Sequence, residues 1–171
     1  MGTKEQGTDA TDGRWLTIPR TLCFITNGDD VLLMKRGANR RIFPNCYNGV
    51  GGHIERDEDP LSCIKREIQE ETGLGVHSIR LRAIHNIDVG TNNGIIMFVF
   101  TAISDKRKFI DDGREGTLHW IARDEIMSLN LVEDLPQIIP RVLSMGDSEQ
   151  PFFVHVSYDD NDVIQMRFTS I

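Results

Sequence analysis

Between Gly52 and Leu74 the chain reads GHIERDEDPLSCIKREIQEETGL, and three of its glutamates are spaced for shared work. On a helix with 3.6 residues per turn, Glu67, Glu70 and Glu71 fall within an arc of about 100°. Ile64 and Ile68 lie beside that arc, toward a core, while Ser62, Lys65, Arg66 and Gln69 take the other side. Three carboxylates at the edge of a buried stripe repel one another by several kcal/mol, as an order of magnitude, at intermediate dielectric. A hard divalent cation relieves that repulsion, and carboxylate oxygen is the donor that Mg²⁺ or Mn²⁺ prefers. Mg²⁺ keeps waters and recruits substrate phosphates, so the chemistry implied is metal-assisted attack of water on a phosphate. Acids at i, i+3 and i+4 also make an ordinary solvated helix face, and the three glutamates alone favour that simpler reading.

The elements that must position these residues can be read around them. Asp57 or Asp59 can cap the helix, Pro60 suits its first turn and Gly73 ends it. Leu61, Ile64 and Ile68 form its expected buried stripe. Upstream, residues 1–14 are polar without apolar period and read as a mobile tail, leaving residues 15–171 as a single domain. Strands are expected at Leu16–Asn27 and Val31–Lys35, joined by a turn at Asn27-Gly28-Asp29-Asp30. Residues 36–48 read as irregular, and Gly49–Glu55 as a short extended lead into the helix. Further strands are expected at Ile79–Val89, Ile95–Ser104 and Gly116–Ile121, then short helices at Arg123–Ser128 and Asp134–Ser144. Pro140 interrupts the second helix. A closing hairpin pairs Phe152–Tyr158 with Val163–Phe168.

The 23-residue segment fits the pattern G-x5-E-x7-R-E-U-x-E-E-x-G-U, where U is aliphatic. The fixed positions are Gly52, Glu58, Arg66, Glu67, Ile68, Glu70, Glu71, Gly73 and Leu74, and all nine fit. At average residue frequencies chance would produce this less than roughly once in a million such chains, so the solvated-face reading gives way. The chain resembles the Nudix hydrolases. The resemblance implies an α/β fold: an α/β/α sandwich with a mixed β-sheet and a loop-helix-loop catalytic box. It places Glu67, Glu70 and Glu71 as metal ligands for Mg²⁺ or Mn²⁺, with an oxygen from the Gly51 or Gly52 carbonyl; Gly52 is the one expected here. Arg66 and Glu58 would hold the helix in place, and Gly52 and Gly73 are structural. Glu115 stands where relatives carry a later glutamate that acts as base or extra metal ligand, with a helix glutamate as the rival base. The substrates implied are nucleoside diphosphates linked to a further group.

Tyr47-Asn48-Gly49-Val50-Gly51-Gly52 resembles the segment N-G-F-G-G of the MutT-like enzymes that hydrolyse oxidised purine nucleoside triphosphates such as 8-oxo-dGTP. There the asparagine helps bind the purine, a role that falls to Asn48. Leu131-Val132-Glu133-Asp134 resembles a W-P-D-D segment whose paired acids read the base edge. One protonated and one ionised carboxyl present a donor and an acceptor together. An N-cap role for Asp134 is the alternative. Val50 stands where those enzymes have an aromatic residue, and Leu131 where they have the stacking tryptophan. Lys35, Arg36, Arg40 and Arg41 give residues 31–41 four positive charges and no acid, which suits a phosphate clamp or a solvated hairpin end. His53 follows the glycine pair and can line the site; His77, His85, His119 and His155 read as strand or surface residues. Hydrolysis of ADP-ribose or of dinucleoside polyphosphates is the alternative within the family. An isopentenyl diphosphate isomerase and a non-catalytic nucleotide-binding regulator fit an intact box less well.

Charge and composition bound these readings. Lys plus Arg number 19 and Asp plus Glu 26, for a net charge of −7. That argues against coating a nucleic-acid polymer, which calls for a basic surface. Residues 55–71 hold seven acids against three bases, so more than half of the excess sits where a metal is expected. The free site should therefore repel nucleotide phosphates, and a small-molecule nucleotide should bind with a divalent cation. Cys23, Cys46 and Cys63 form no C-x-x-C pair and residues 1–14 lack the apolar stretch of a secretory leader, so no leader and a reduced, cytoplasmic setting are expected. No apolar run is long enough to span a membrane. Oligomeric state is left open.

Overall fold

The computed structural model describes residues 3–7, 11–110, 113 and 115–169. Its strands are β1 (Leu16–Asn27), β2 (Asp30–Arg36), β3 (Tyr47–Asn48), β4 (His77–Ile87), β5 (Asn93–Ile103), β6 (Gly116–Ala122), β7 (Phe152–Tyr158) and β8 (Ile164–Thr169). Two α-helices accompany them, α1 (Pro60–Thr72) and α2 (Leu135–Ser144). The strands form one eight-stranded sheet in the order β3-β2-β1-β5-β4-β7-β8, with β6 also on β2. β1 runs parallel to β5 and β4 parallel to β7, whereas the other pairs are antiparallel, so the sheet is mixed.

Alternation along β1 sorts the core. Leu22 and Phe24 join one cluster with Leu135, Ile138, Ile139 and Val142 of α2. Cys23 and Ile25 join the other with Ile64 and Ile68 of α1. A two-residue period places successive side chains on opposite faces, so one helix packs on each face and the layers are α/β/α.

Helix α1 begins at Asp59, whose Oδ1 accepts from the amides of Leu61 and Ser62 at 2.8 and 3.0 Å. It ends at Gly73, in the left-handed region at φ 65°. Its buried residues are Cys63, Ile64, Ile68 and Thr72; Leu61, expected in that stripe, is 42% exposed. Cys63 takes its place because its thiol bridges the Thr21 hydroxyl and the His53 carbonyl, each at 3.3 Å. The helix expected at Arg123–Ser128 is a single 3-10 turn, Ile126–Ser128. α2 keeps Pro140 in its interior. Within the expected N-terminal tail, Thr3–Gln6 forms a 3-10 turn, and residues 1, 2 and 8–10 lie outside the described residues. Among the described residues no helix is long and apolar enough to cross a membrane.

The feature that positions the site is a wedge in the sheet. β1 and β2 pair only from Ile25↔Leu32 to Asn27↔Asp30. Upstream of Ile25 the partner of β1 is instead the segment 50–54. Cys23 and Val50 exchange backbone hydrogen bonds of 2.7 and 3.1 Å, Thr21 N–H donates to the Gly52 carbonyl at 2.8 Å and Ile54 N–H to the Pro19 carbonyl at 3.2 Å. The segment expected as a short extended lead into the helix is thus stitched to the central strand. Gly51 makes this possible, at φ 150° with its Cα facing the Thr21 carbonyl so closely that a Cβ would overlap it. We expect Gly51→Ala to cost about 2–3 kcal/mol in urea unfolding, the range for a side chain forced into a glycine-only conformation. Gly75→Ala, in open space, should stay within about 0.5 kcal/mol of the parent.

Candidate active site

The wedge brings the start of the box against the end of its helix. Gly51 N–H donates to Glu71 Oε2 at 3.2 Å. At Gly52 a Cβ would fall on the Glu67 carboxylate, so the missing side chain is the space that this carboxylate fills. Burial raises the pKa of Glu67 above the usual carboxylate range, with Glu70 and Glu115 adding to it against the Arg66 guanidinium. Glu71 is pushed up to about 8, first by burial and then by the charge of Glu67. These two acids therefore sit against backbone with too little positive charge beside them.

Arg66 braces the box from the solvent side. Its guanidinium donates to Glu58 at 2.7 and 3.1 Å, to Glu67 at 2.9 Å, to Glu70 at 3.2 Å and to the His53 carbonyl at 3.2 Å. Glu58 also accepts from Glu55 N–H at 2.8 Å. Its bond to Arg66 leads the effects that hold Glu58 down at about 2. Cys63, pushed up to about 11 mainly by burial, is a packed thiol and not a nucleophile. Among the described residues no three His, Cys, Asp or Glu side chains converge closely enough to hold a metal as they stand. Glu70 is turned to Arg66, and Glu115 to Arg40 at 3.4 Å. The Gly52 carbonyl is taken by Thr21, whereas none of the hydrogen bonds of the described residues ends on the Gly51 carbonyl. Of the two carbonyls, Gly51 supplies the free oxygen.

On the α2 face of the sheet lies a cavity of about 370 Å³. Leu22, Ile87, Met97, Val132 and Val156 make it apolar; Arg20, Arg36, Asn48, Glu133, Asp134 and Tyr158 bring polar groups into it. Arg36 links it to the box, since the charges of both Glu115 and Glu71 act on its guanidinium. Asp134 occupies the N-cap position of α2 but its side chain makes no capping bond. Its carboxyl lines the cavity instead, and burial, aided by Glu133, pushes it up to about 6. Behind it stands His85, fully buried, with Nδ1 3.8 Å from Asp134 Oδ2 and neither ring nitrogen hydrogen-bonded. Burial pushes His85 down to about 4, so the two groups meet near neutrality without forming an ion pair.

The residues singled out in the sequence do not all meet. Glu71 lies within electrostatic reach of Glu67, Glu115 and Arg36. Asn48, Glu133 and Asp134 share the cavity with Arg36. Lys35 does not line it; its ammonium lies 5.8 Å from the Tyr47 ring centroid. His53 has an exposed side chain, and the residue serves the box through its carbonyl. Val50 is fully buried in the α1-side cluster, so an aromatic residue missing there is a matter of packing. Leu131 packs against the α2-side cluster and does not line the cavity. Arg20, His85 and Tyr158 were not picked out from sequence. The signal available for Arg20 was its register with Leu22 and Phe24 on an inward face of β1.

Comparison with known proteins gives a consistent picture. The family model described as NUDIX domain matches residues 16–142. Over 59 residues the chain is 32% identical to an NAD-capped RNA hydrolase, NudC, of Stutzerimonas stutzeri, covering 34% of this chain. That match spans only 20% of the relative's own length. It is 28% identical over 120 residues to a nucleoside triphosphatase, NudI, of an Enterobacter species, covering 64% of this chain and 84% of the relative. Among solved structures, a MutT protein of Bacillus halodurans superposes with a TM-score of 0.75 at 24% identity, over 88% of this chain and 97% of the other.

The state of Glu71 has a measurable consequence. A carboxyl whose pKa is raised on folding binds its proton more tightly in the native state, so stability falls as pH rises from its ordinary value of 4.5 toward about 8. The metal-free protein should lose thermal stability between pH 5 and pH 8. Glu71→Gln should remove much of that slope and raise stability at pH 8 by about 2 kcal/mol. A thermal melt series in EDTA checks this; an unchanged slope in the variant would show that Glu71 is not the strained group.

Proposed function

The chain belongs to the NUDIX family, and from that premise we propose that it is a divalent-cation-dependent pyrophosphohydrolase of purine nucleoside triphosphates, oxidised ones such as 8-oxo-dGTP among them. The observation that carries this reading is the pairing of under-compensated carboxylates with an adjoining cavity that ends in a second acid pair.

The residues present fit a divalent cation. Glu67 and Glu71 are held against each other by backbone and burial, and the Gly51 carbonyl offers an oxygen beside them. Glu70 completes the set by turning from Arg66, a surface rotation that breaks one exposed contact. A divalent cation held by these residues would supply positive charge to offset the acids and the phosphate oxygens and to activate the attacking water. Arg66 keeps the helix end fixed while that charge changes. Glu115, oriented by Arg40, takes the proton of the attacking water. Water adds to phosphorus, the bridging phosphoanhydride bond breaks, and the products are a nucleoside monophosphate and pyrophosphate.

The base lies in the cavity. Its faces meet Leu22, Met97 and Val156, and its edge meets Asn48, Glu133 and Asp134. Glu133, with Tyr158 beside it, and Asp134 offer acid oxygens there, and the Asn48 amide carries both a donor and an acceptor. This suits a purine edge carrying both kinds of group.

Product analysis tests the proposal. With Mg²⁺ the protein should release monophosphate and pyrophosphate, and EDTA should stop it. Glu70→Gln combined with Glu71→Gln should lower kcat at least about 10³-fold. 8-Oxo-dGTP should surpass dGTP, with ADP-ribose and dinucleoside polyphosphates as comparisons. Equal rates on 8-oxo-dGTP and dGTP would remove the oxidised-base assignment, and cleavage of ADP-ribose alone would replace the substrate class.

A further inference from the structure

Arg20 stands apart from the residues that define the box. It lies on β1, next to the residue whose amide is bonded to Gly52, and its own backbone bridges to His53. Its side chain lines the cavity together with Arg36. The guanidinium Nε is buried and has no hydrogen-bond partner, and none of the described ion pairs involves Arg20. The effects on its pKa are burial and the like charge of Arg36, and both lower it. Two cations are therefore held near each other at one side of an apolar cavity. None of the described ion pairs joins Arg20 to Glu133 or Asp134, the acid pair of the cavity; Asp134 faces His85 instead.

Such an arrangement costs free energy in the empty protein, since a buried N–H donor without a partner, here Arg20 Nε, is penalised and two like charges repel. An anion placed between them turns both terms favourable. The planar guanidinium fork matches phosphate oxygens, and charge-assisted bonds are the strong ones. Position selects which anion. Arg36 reaches both the cavity and the neighbourhood of Glu71 and Glu115, so the space at Arg20 and Arg36 lies between the proposed base site and the proposed cleavage site. The group that belongs there is the phosphate attached to the nucleoside.

We propose that Arg20 and Arg36 form an anion seat for the nucleoside-linked phosphate, with Arg20 as a substrate-positioning residue of the α2 face of the sheet. The inference rests on the functional reading above for the identity of the nucleoside, not for the existence of the seat. It also modifies the expectation from net charge. The acidic box repels phosphates, but the seat faces the cavity and needs no divalent cation, so a nucleoside monophosphate should bind the metal-free protein.

The test is ligand-induced thermal stabilisation in EDTA, with 2′-deoxyguanosine, its 5′-monophosphate and inorganic phosphate as probes. The monophosphate should stabilise the parent protein more than the nucleoside does, with a dissociation constant about tenfold lower or better. Inorganic phosphate should stabilise weakly. In Arg20→Gln the advantage of the monophosphate should vanish while nucleoside binding remains, and Arg20→Lys should restore part of it. Because Arg20 is unpartnered, Arg20→Gln should melt at or above the parent temperature, which separates lost binding from lost folding. Under turnover the variant should show a raised KM for the triphosphate. An unchanged monophosphate advantage in Arg20→Gln would overturn the seat, as would a fall in melting temperature with equal loss of both ligands. If phosphate compounds stabilise in an Arg20-dependent way but the nucleoside adds nothing, the seat stands and the purine reading fails.

Discussion

The structure is organised around carboxylates that are held together more tightly than their own charges allow. Glu67 lies where a Cβ of Gly52 would be, and Glu71 accepts the Gly51 amide. Both are set against residues 50–54, whose backbone is stitched to β1. Fixed backbone forces the repulsion to be answered in another way. Protonation answers it in the metal-free protein, and a divalent cation answers it in the proposed working state.

Much of the rest serves that constraint. The parting of β1 from β2 opens the wedge that admits the glycine segment. Cys63 ties the first turn of α1 to Thr21 and His53, so the helix is anchored at both ends to the same strip of backbone. Arg66 gathers Glu58, Glu67 and Glu70, which sets one guanidinium against three carboxylates on the solvent side of the box. On the opposite face, the cavity carries an analogous imbalance of the other sign at Arg20 and Arg36.

The two halves of the site differed in how far sequence revealed them. The box is local: one helix, one cap and nine spaced residues, all within 23 positions, so periodicity and motif were enough. The strands and both packing faces were also legible, because alternation along β1 and the stripe of α1 follow from simple geometry. The cavity was not, since its walls come from β1, β2, β3, β4, β5, β7 and β8 and from the segment before α2. Register and sheet order decide which side chains meet there, and neither is written in a local pattern. Hence nothing local in the sequence distinguishes His85 from an ordinary strand residue, marks Arg20 as facing a cavity, or separates Lys35 from Arg36. Asp134 shows the limit most clearly. Its position marks a helix N-cap, yet only the tertiary structure shows that its side chain leaves the cap for the cavity.

The central claim is that Glu67 and Glu71 share strain that a divalent cation relieves. Calorimetric titration of Mn²⁺ into the metal-free protein at pH 7, repeated in buffers of different ionisation enthalpy, measures this directly. Since burial and the neighbouring charge push Glu71 up to about 8, binding should release close to one proton, and Glu71→Gln should abolish the release and weaken binding. Tight binding with no proton release, or binding equally strong in the variant, would contradict the account.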